Sequence, residues 1–157
     1  MNIVVTNINR APELIFDGPW AAISVASYSE DWPMLSEGNR VGLLQLAFHD
    51  IDEKIYGYNL MSDDQGLEIL DFVYGVWDKV ECILVHCEAG ISRSPAIAAA
   101  ISKIKIGHDG GYFRTHIPNR YVYNTLLKLN HNRKRSYWHG FFRQYYSRRW
   151  FGFIAPF

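Results

Sequence analysis

The sequence predicts an α/β fold, with a mainly parallel central sheet of about four to five strands flanked by helices. Two observations predict it. Short apolar runs recur at Ile3–Val5, Ala21–Ala26, Val41–Phe48 and Ile83–Val85. From the third run onward they alternate with segments whose apolar residues return every three or four positions, the period of a helix with one buried face. The chain has 157 residues, of which 48% are apolar and 20% charged, so one domain with a sizeable core is expected.

Each element has a local reason. Ile3-Val4-Val5 reads as the first strand and Ala21–Ala26 as the second, with Gly18-Pro19 and Pro33 as turns. Val41–Phe48 reads as a buried strand that ends at His49-Asp50-Ile51-Asp52. Ser62-Asp63-Asp64 then opens a helix, because short oxygen-bearing side chains cap free backbone N–H groups. Leu67, Leu70, Val73, Tyr74 and Trp77 supply its apolar face. Ile83–Val85 is a fully apolar strand, and Ser94–Ile106 a helix with Pro95 early, where a missing N–H costs little. Gly107–Gly111 breaks the chain. Pro118–Leu129 forms the last predicted helix, with Tyr121, Val122, Thr125, Leu126 and Leu129 inward.

Composition narrows the function classes. Two cysteines are too few for a disulfide scaffold, and no apolar run reaches the length of a membrane span. The N-terminus lacks the basic-then-apolar layout of a signal peptide, so a cytoplasmic location is expected. The net charge of zero hides a split. Residues 1–102 carry 15 acidic and 5 basic side chains, whereas residues 103–157 carry 11 basic and 1 acidic. The two ends either neutralise each other within one fold or give the C-terminal part an affinity for anionic surfaces.

The chemistry concentrates at Cys87-Glu88-Ala89-Gly90-Ile91-Ser92-Arg93, where a buried strand ends and a helix begins. A helix N-terminus offers unpaired N–H groups and partial positive charge, which together bind anions. Gly90 lets the backbone curl so that successive N–H groups point inward. Arg93 adds a planar fork matched to two phosphate oxygens. The same field is expected to hold Cys87 as a thiolate, the nucleophilic form. A Cys followed six residues later by Arg is a weak signal. His86 before it, Gly90 in the middle, Ser94 after it and the strand–loop–helix context make the signal specific.

His86 to Ser94 resembles the His-Cys-x5-Arg-Ser/Thr loop of protein tyrosine phosphatases, and Gly90 with Ser94-Pro95 is similar to the compact dual-specificity branch. The resemblance covers roughly Val41 to Leu129. It implies that Cys87 attacks phosphorus, that Arg93 and the loop N–H groups bind the equatorial oxygens, and that Ser94 helps the sulfur leave. It implies that His86 is a buried neighbour that tunes the thiol and orders the loop. It places a general acid on the loop Phe48–Glu53, slightly farther upstream than compact members place theirs. Asp50 fits better because it directly follows the strand; Asp52 is the alternative. A solvated acidic loop with no catalytic role also fits both.

The implied activity is hydrolysis of phosphorylated protein side chains, on Tyr, Ser or Thr. No Lys lies in the loop, which disfavours inositol phospholipids, and Ser94-Pro95 departs from the Thr-Gly of relatives that act on RNA 5′-triphosphates. A phosphate-recognising module with little turnover, and an RNA or phosphoinositide phosphatase recruited through a basic tail, are the rival readings. No cofactor and no metal are expected: His49, His86, His108, His116, His131 and His139 include no pair four residues apart and no Cys/His cluster.

Cys82 reads as a small buried residue rather than a resolving thiol, since two cysteines along one extended strand are too far apart to bond. Asn119 reads as a helix-start residue, with bracing of the loop as the other account. Residues 1–132 are expected to form the catalytic domain. Residues 133–157 form a basic aromatic extension, in which Arg143, Arg148 and Arg149 interleave with Tyr145, Trp150 and Phe151. It fits packing on the domain, or an anionic membrane surface, nucleic acid or a protein partner.

Overall fold

The computed structural model describes residues 1–133 of the chain. Four strands, β1 (Asn2–Asn7), β2 (Trp20–Ala26), β3 (Arg40–Ala47) and β4 (Cys82–Cys87), form one sheet in the order β1-β4-β2-β3. Every pairing is parallel, with Val4 beside Leu84 and Ile23 beside Val85. Helices α1 (Asp63–Val76), α2 (Arg93–Ile106) and the short α3 (Tyr112–Thr115) follow, and a last helix, α4, spans 120–133.

The central strands are apolar on both sides because both sheet faces are covered. One face carries Ala21, Ile23, Val25, Ile83 and Val85 against α1, α2 and α4, through Ile69, Val73, Ile97, Ile101, Val122 and Leu126. The other face is covered without long helices. There Trp20, Ala22 and Leu84 meet Ala11, in a single 3-10 turn (Ala11–Glu13) before β2, and Leu35 from the segment after it. The flanking helices thus gather on one side, and fully buried Trp20, whose Nε1 donates to the Gly38 carbonyl at 2.7 Å, closes the other.

Ser62 caps α1 as its position predicted: its side chain accepts from Gln65 N–H while the Gln65 side chain accepts from Ser62 N–H. Two expectations need correction. The strand β3 is not buried but lies at the sheet edge, where Val41 is 50% exposed. A mostly apolar run, broken here only by Gln45, gives little sign of which strand ends at an edge. Leu67 does not face the core; Gly66, Ile69, Leu70, Val73 and Val76 do, so the buried stripe of α1 is rotated from the predicted one. Gly66 belongs to that stripe, and its missing side chain leaves room for Leu129 of α4. Among the described residues, no helix is long and apolar enough to cross a membrane.

The last described residue, Arg133, ion-pairs Asp71 of α1 and lies 5.0 Å from the centre of the Tyr74 ring. The remainder of the predicted C-terminal extension, 134–157, falls outside the described residues.

Candidate active site

In a parallel sheet the C-terminal strand ends collect functional loops. Here β4 lies between β1 and β2, and its end delivers Cys87 into the segment that opens α2. The loop is strapped down from several sides by its carbonyl oxygens. The Glu88 carbonyl accepts from Ile8 N–H at 3.2 Å, just beyond β1. The Ile91 carbonyl accepts from Ile117 at 3.2 Å, and the Ser92 carbonyl from both Ala96 and Asn119 at 3.1 Å. Among the described residues, none of the N–H groups from Glu88 to Arg93 donates a hydrogen bond. The loop thus turns carbonyls outward and leaves a run of donors unused, the polarity an anion site requires.

Gly90 makes this path accessible. Its φ is +72°, and a Cβ there would meet the Thr6 carbonyl carbon and oxygen at 2.8 Å. Both the left-handed backbone and the contact with β1 require glycine.

Cys87 is buried, and its sulfur lies 3.1 Å from Ser94 Oγ. Arg93 is 4% exposed. Its Nη1 donates to the Phe48 carbonyl at 2.6 Å and to Ser27 Oγ at 3.3 Å, and its Nη2 pairs with the Glu88 carboxylate. Burial pulls the guanidinium pKa down from its ordinary value, while negative charge on Cys87 and Asp50 pushes it back up.

Asp50 and Asp52 both line a cleft of about 410 Å³ with Ser92, Ile117, Pro118, Asn119 and Arg120. Only Asp50 is bonded to the loop. Its Oδ1 accepts from Ser92 Oγ at 2.7 Å and from Asn119 Nδ2 at 2.9 Å. Asn119 also accepts from Val122 N–H at 3.0 Å through Oδ1, so it caps α4 and braces the loop at once. The two sequence readings of Asn119 were alternatives only because the loop was out of view.

His86 is fully buried, and burial lowers its pKa to about 4, so it is neutral near pH 7. Neither ring nitrogen has a hydrogen-bond partner among the described residues. It lies buried beside Cys87, as the resemblance implies, and fills space there without a side-chain hydrogen bond among the described residues. Cys82 is free and buried at the far end of β4, roughly 17 Å away along the strand, too far for a disulfide.

Ser27 and Phe48 escaped the sequence reading. Each directly follows a strand end or nearly so, β2 and β3 respectively, and that position was the available signal. The sequence places Glu88 in the loop but assigns its carboxylate no partner, although an acid inside an anion loop is itself a mismatch that asks for one.

No family model matches the chain, and no curated protein matches it. Solved structures do. The human tyrosine phosphatase-like serine/threonine/tyrosine-interacting protein aligns at 21% identity and TM-score 0.59, over 81% of this chain and 89% of that one. Human DUSP28 aligns at 15% identity and TM-score 0.54, over 85% and 94%. A mouse putative dual specificity phosphatase, crystallised with zinc tungstate, aligns at 20% identity and TM-score 0.51, over 82% and 76%. The chain shares the α/β fold of these dual-specificity phosphatase-like structures.

Proposed function

We propose that this chain is a phosphomonoester hydrolase acting on phosphorylated protein side chains through a cysteinyl-phosphate intermediate. The observation that carries the reading is the loop itself. Among the described residues, six successive N–H groups from Glu88 to Arg93 have no partner while three loop carbonyls are bonded outward, and Cys87 sits at its start. Similarity of fold to dual-specificity phosphatases supports the same reading.

The chemistry follows in two steps. The Cys87 thiolate attacks phosphorus, an S–P bond forms, and the bond to the leaving oxygen breaks. Asp50 donates its proton to that oxygen. Both of its bonds fall on Oδ1, which leaves Oδ2 to carry the proton. Water then attacks phosphorus and passes a proton back to Asp50. The S–P bond breaks, and Ser94 Oγ, 3.1 Å away, donates to the departing sulfur. Arg93 and the loop amides hold the oxygens whose charge rises in each transition state.

The test is hydrolysis of an aryl phosphate and of phosphopeptides by wild type, Cys87→Ser, Asp50→Ala and Asp52→Ala. Cys87→Ser is expected to be inactive, and acid quenching of wild type to trap a phosphoryl adduct on Cys87. Asp50→Ala is expected to lose about 10²–10³-fold in kcat, as for removal of a general acid, and Asp52→Ala far less. Full activity in Cys87→Ser sinks the proposal; a larger loss in Asp52→Ala reverses the assignment of the acid.

A further inference from the structure

A carboxylate is an odd residue to find in an anion-binding loop. The loop gathers partial positive charge, yet the first position after Cys87 is Glu88, which lowers it. The contacts of Glu88 show where that negative charge is directed. Oε1 accepts from Ser27 N–H at 2.7 Å, which ties the carboxylate to the C-terminal end of β2. Oε2 pairs with Arg93 Nη2. The other terminal nitrogen, Nη1, is held by the Phe48 carbonyl and Ser27 Oγ.

A guanidinium has five N–H bonds in one plane. The Phe48 carbonyl and Ser27 Oγ engage Nη1, and the Glu88 carboxylate pairs with Nη2. The N–H of Nε remains, on the edge it shares with Nη2, and that edge matches two oxygens of one phosphoryl group. Nε is buried and has no hydrogen-bond partner among the described residues.

We infer that Glu88 is a positioning residue for phosphate binding, holding the Arg93 guanidinium so that its Nε–Nη2 edge faces the cradle. The inference rests on the reading of Cys87–Arg93 as a phosphate site. Arg93 is almost fully buried, where a positive charge is costly without a counter-charge. Glu88 supplies that counter-charge from the same loop, so the arginine and its support are set by one short stretch of chain. The loop gives up part of its positive field, and in return the guanidinium keeps a single orientation before substrate arrives.

The experiment uses the full chain with two readouts: inorganic phosphate binding by calorimetry, and kcat and KM on an aryl phosphate. Glu88→Ala is expected to weaken phosphate by about tenfold, the scale of one lost ion-pair support of a buried guanidinium. It is expected to lower kcat/KM by about 10²-fold, the scale of a displaced catalytic group. Glu88→Gln keeps an acceptor for Ser27 and Arg93 and is expected to lose less than Glu88→Ala. A lysine has no fork to orient, so in an Arg93→Lys background Glu88→Ala is expected to cost no more than about twofold in whichever readout stays measurable. A merely structural Glu88 would cost the same in both backgrounds, and that result overturns the inference. So does a Glu88→Ala protein that binds phosphate as tightly as wild type, or more tightly, since the carboxylate would then be a competitor. If wild type binds phosphate but turns over no ester, the enzymatic reading falls and the binding arm alone decides on Glu88. If wild type does neither, both fall.

Discussion

Acidification should destabilise this fold through one residue, His86, and the size of the effect can be worked out. The imidazole lies on the central strand β4, fully buried, with no hydrogen bond to either nitrogen among the described residues. Its pKa falls from 6.5 to about 4 because burial penalises the charged form. The unfolded chain therefore binds a proton at higher pH than the folded one does. Above the unfolded value both states are neutral at this site and stability is unaffected. As pH drops below 6.5 the unfolded state gains a proton that the folded state refuses until about 4. Stability is lost across that window by about 1.4 kcal/mol per pH unit. Between about pH 7.5 and about pH 5 the loss amounts to about 2 kcal/mol, and to about 3 kcal/mol once the folded histidine titrates. Urea unfolding of wild type and of His86→Leu at the two pH values isolates this term, because the other histidines contribute equally to both proteins. The difference in stability between the proteins should change by about 2 kcal/mol. Parallel loss in both proteins would refute the reasoning. So would a native His86 ring that titrates near 6.5 by NMR.

Other substitutions probe the loop's supports. Gly90→Ala must place a Cβ against the Thr6 carbonyl at a φ of +72°; thermal unfolding should show a loss of about 1–3 kcal/mol together with loss of phosphate binding. Asn119→Ala removes a helix cap and a donor to Asp50, and should lower both stability, by about 1 kcal/mol, and kcat. Asn119→Asp keeps the cap but sets a second carboxylate against Asp50, so its stability should recover relative to alanine while its kcat does not. Ser94→Ala should slow departure of the sulfur, so that rapid-quench experiments on an aryl phosphate show a burst of alcohol release followed by a slower steady rate.

The parts of the fold that were legible are those written in short stretches. The run Ile83–Val85 marks β4 and the spacing of Val122, Leu126 and Leu129 marks α4, because period and length alone separate strand from helix. Ser62 and Gln65, three apart, are enough to announce the start of α1. The edge position of β3 was not legible, since an apolar run reads alike at an edge and in the centre until its neighbours are known. The rotation of α1 about its axis escaped for a similar reason: Gly66 matters through Leu129, more than sixty residues along the chain.

By itself the sequence determined that a cysteine, an arginine and a run of amides stand together between a strand and a helix. Those groups are covalent neighbours, and their spacing needs no tertiary contact to define it. Tertiary structure decided which way each group faces. The outward bonds of the loop end on Ile8, Ile117 and Asn119, and the arginine is held by Ser27, Phe48 and Glu88. Apart from Glu88, those partners come from the ends of other strands and from the start of α4, and they meet only because the sheet runs β1-β4-β2-β3. Strand order is a property of how the whole chain buries its apolar faces, which no local pattern of residues encodes.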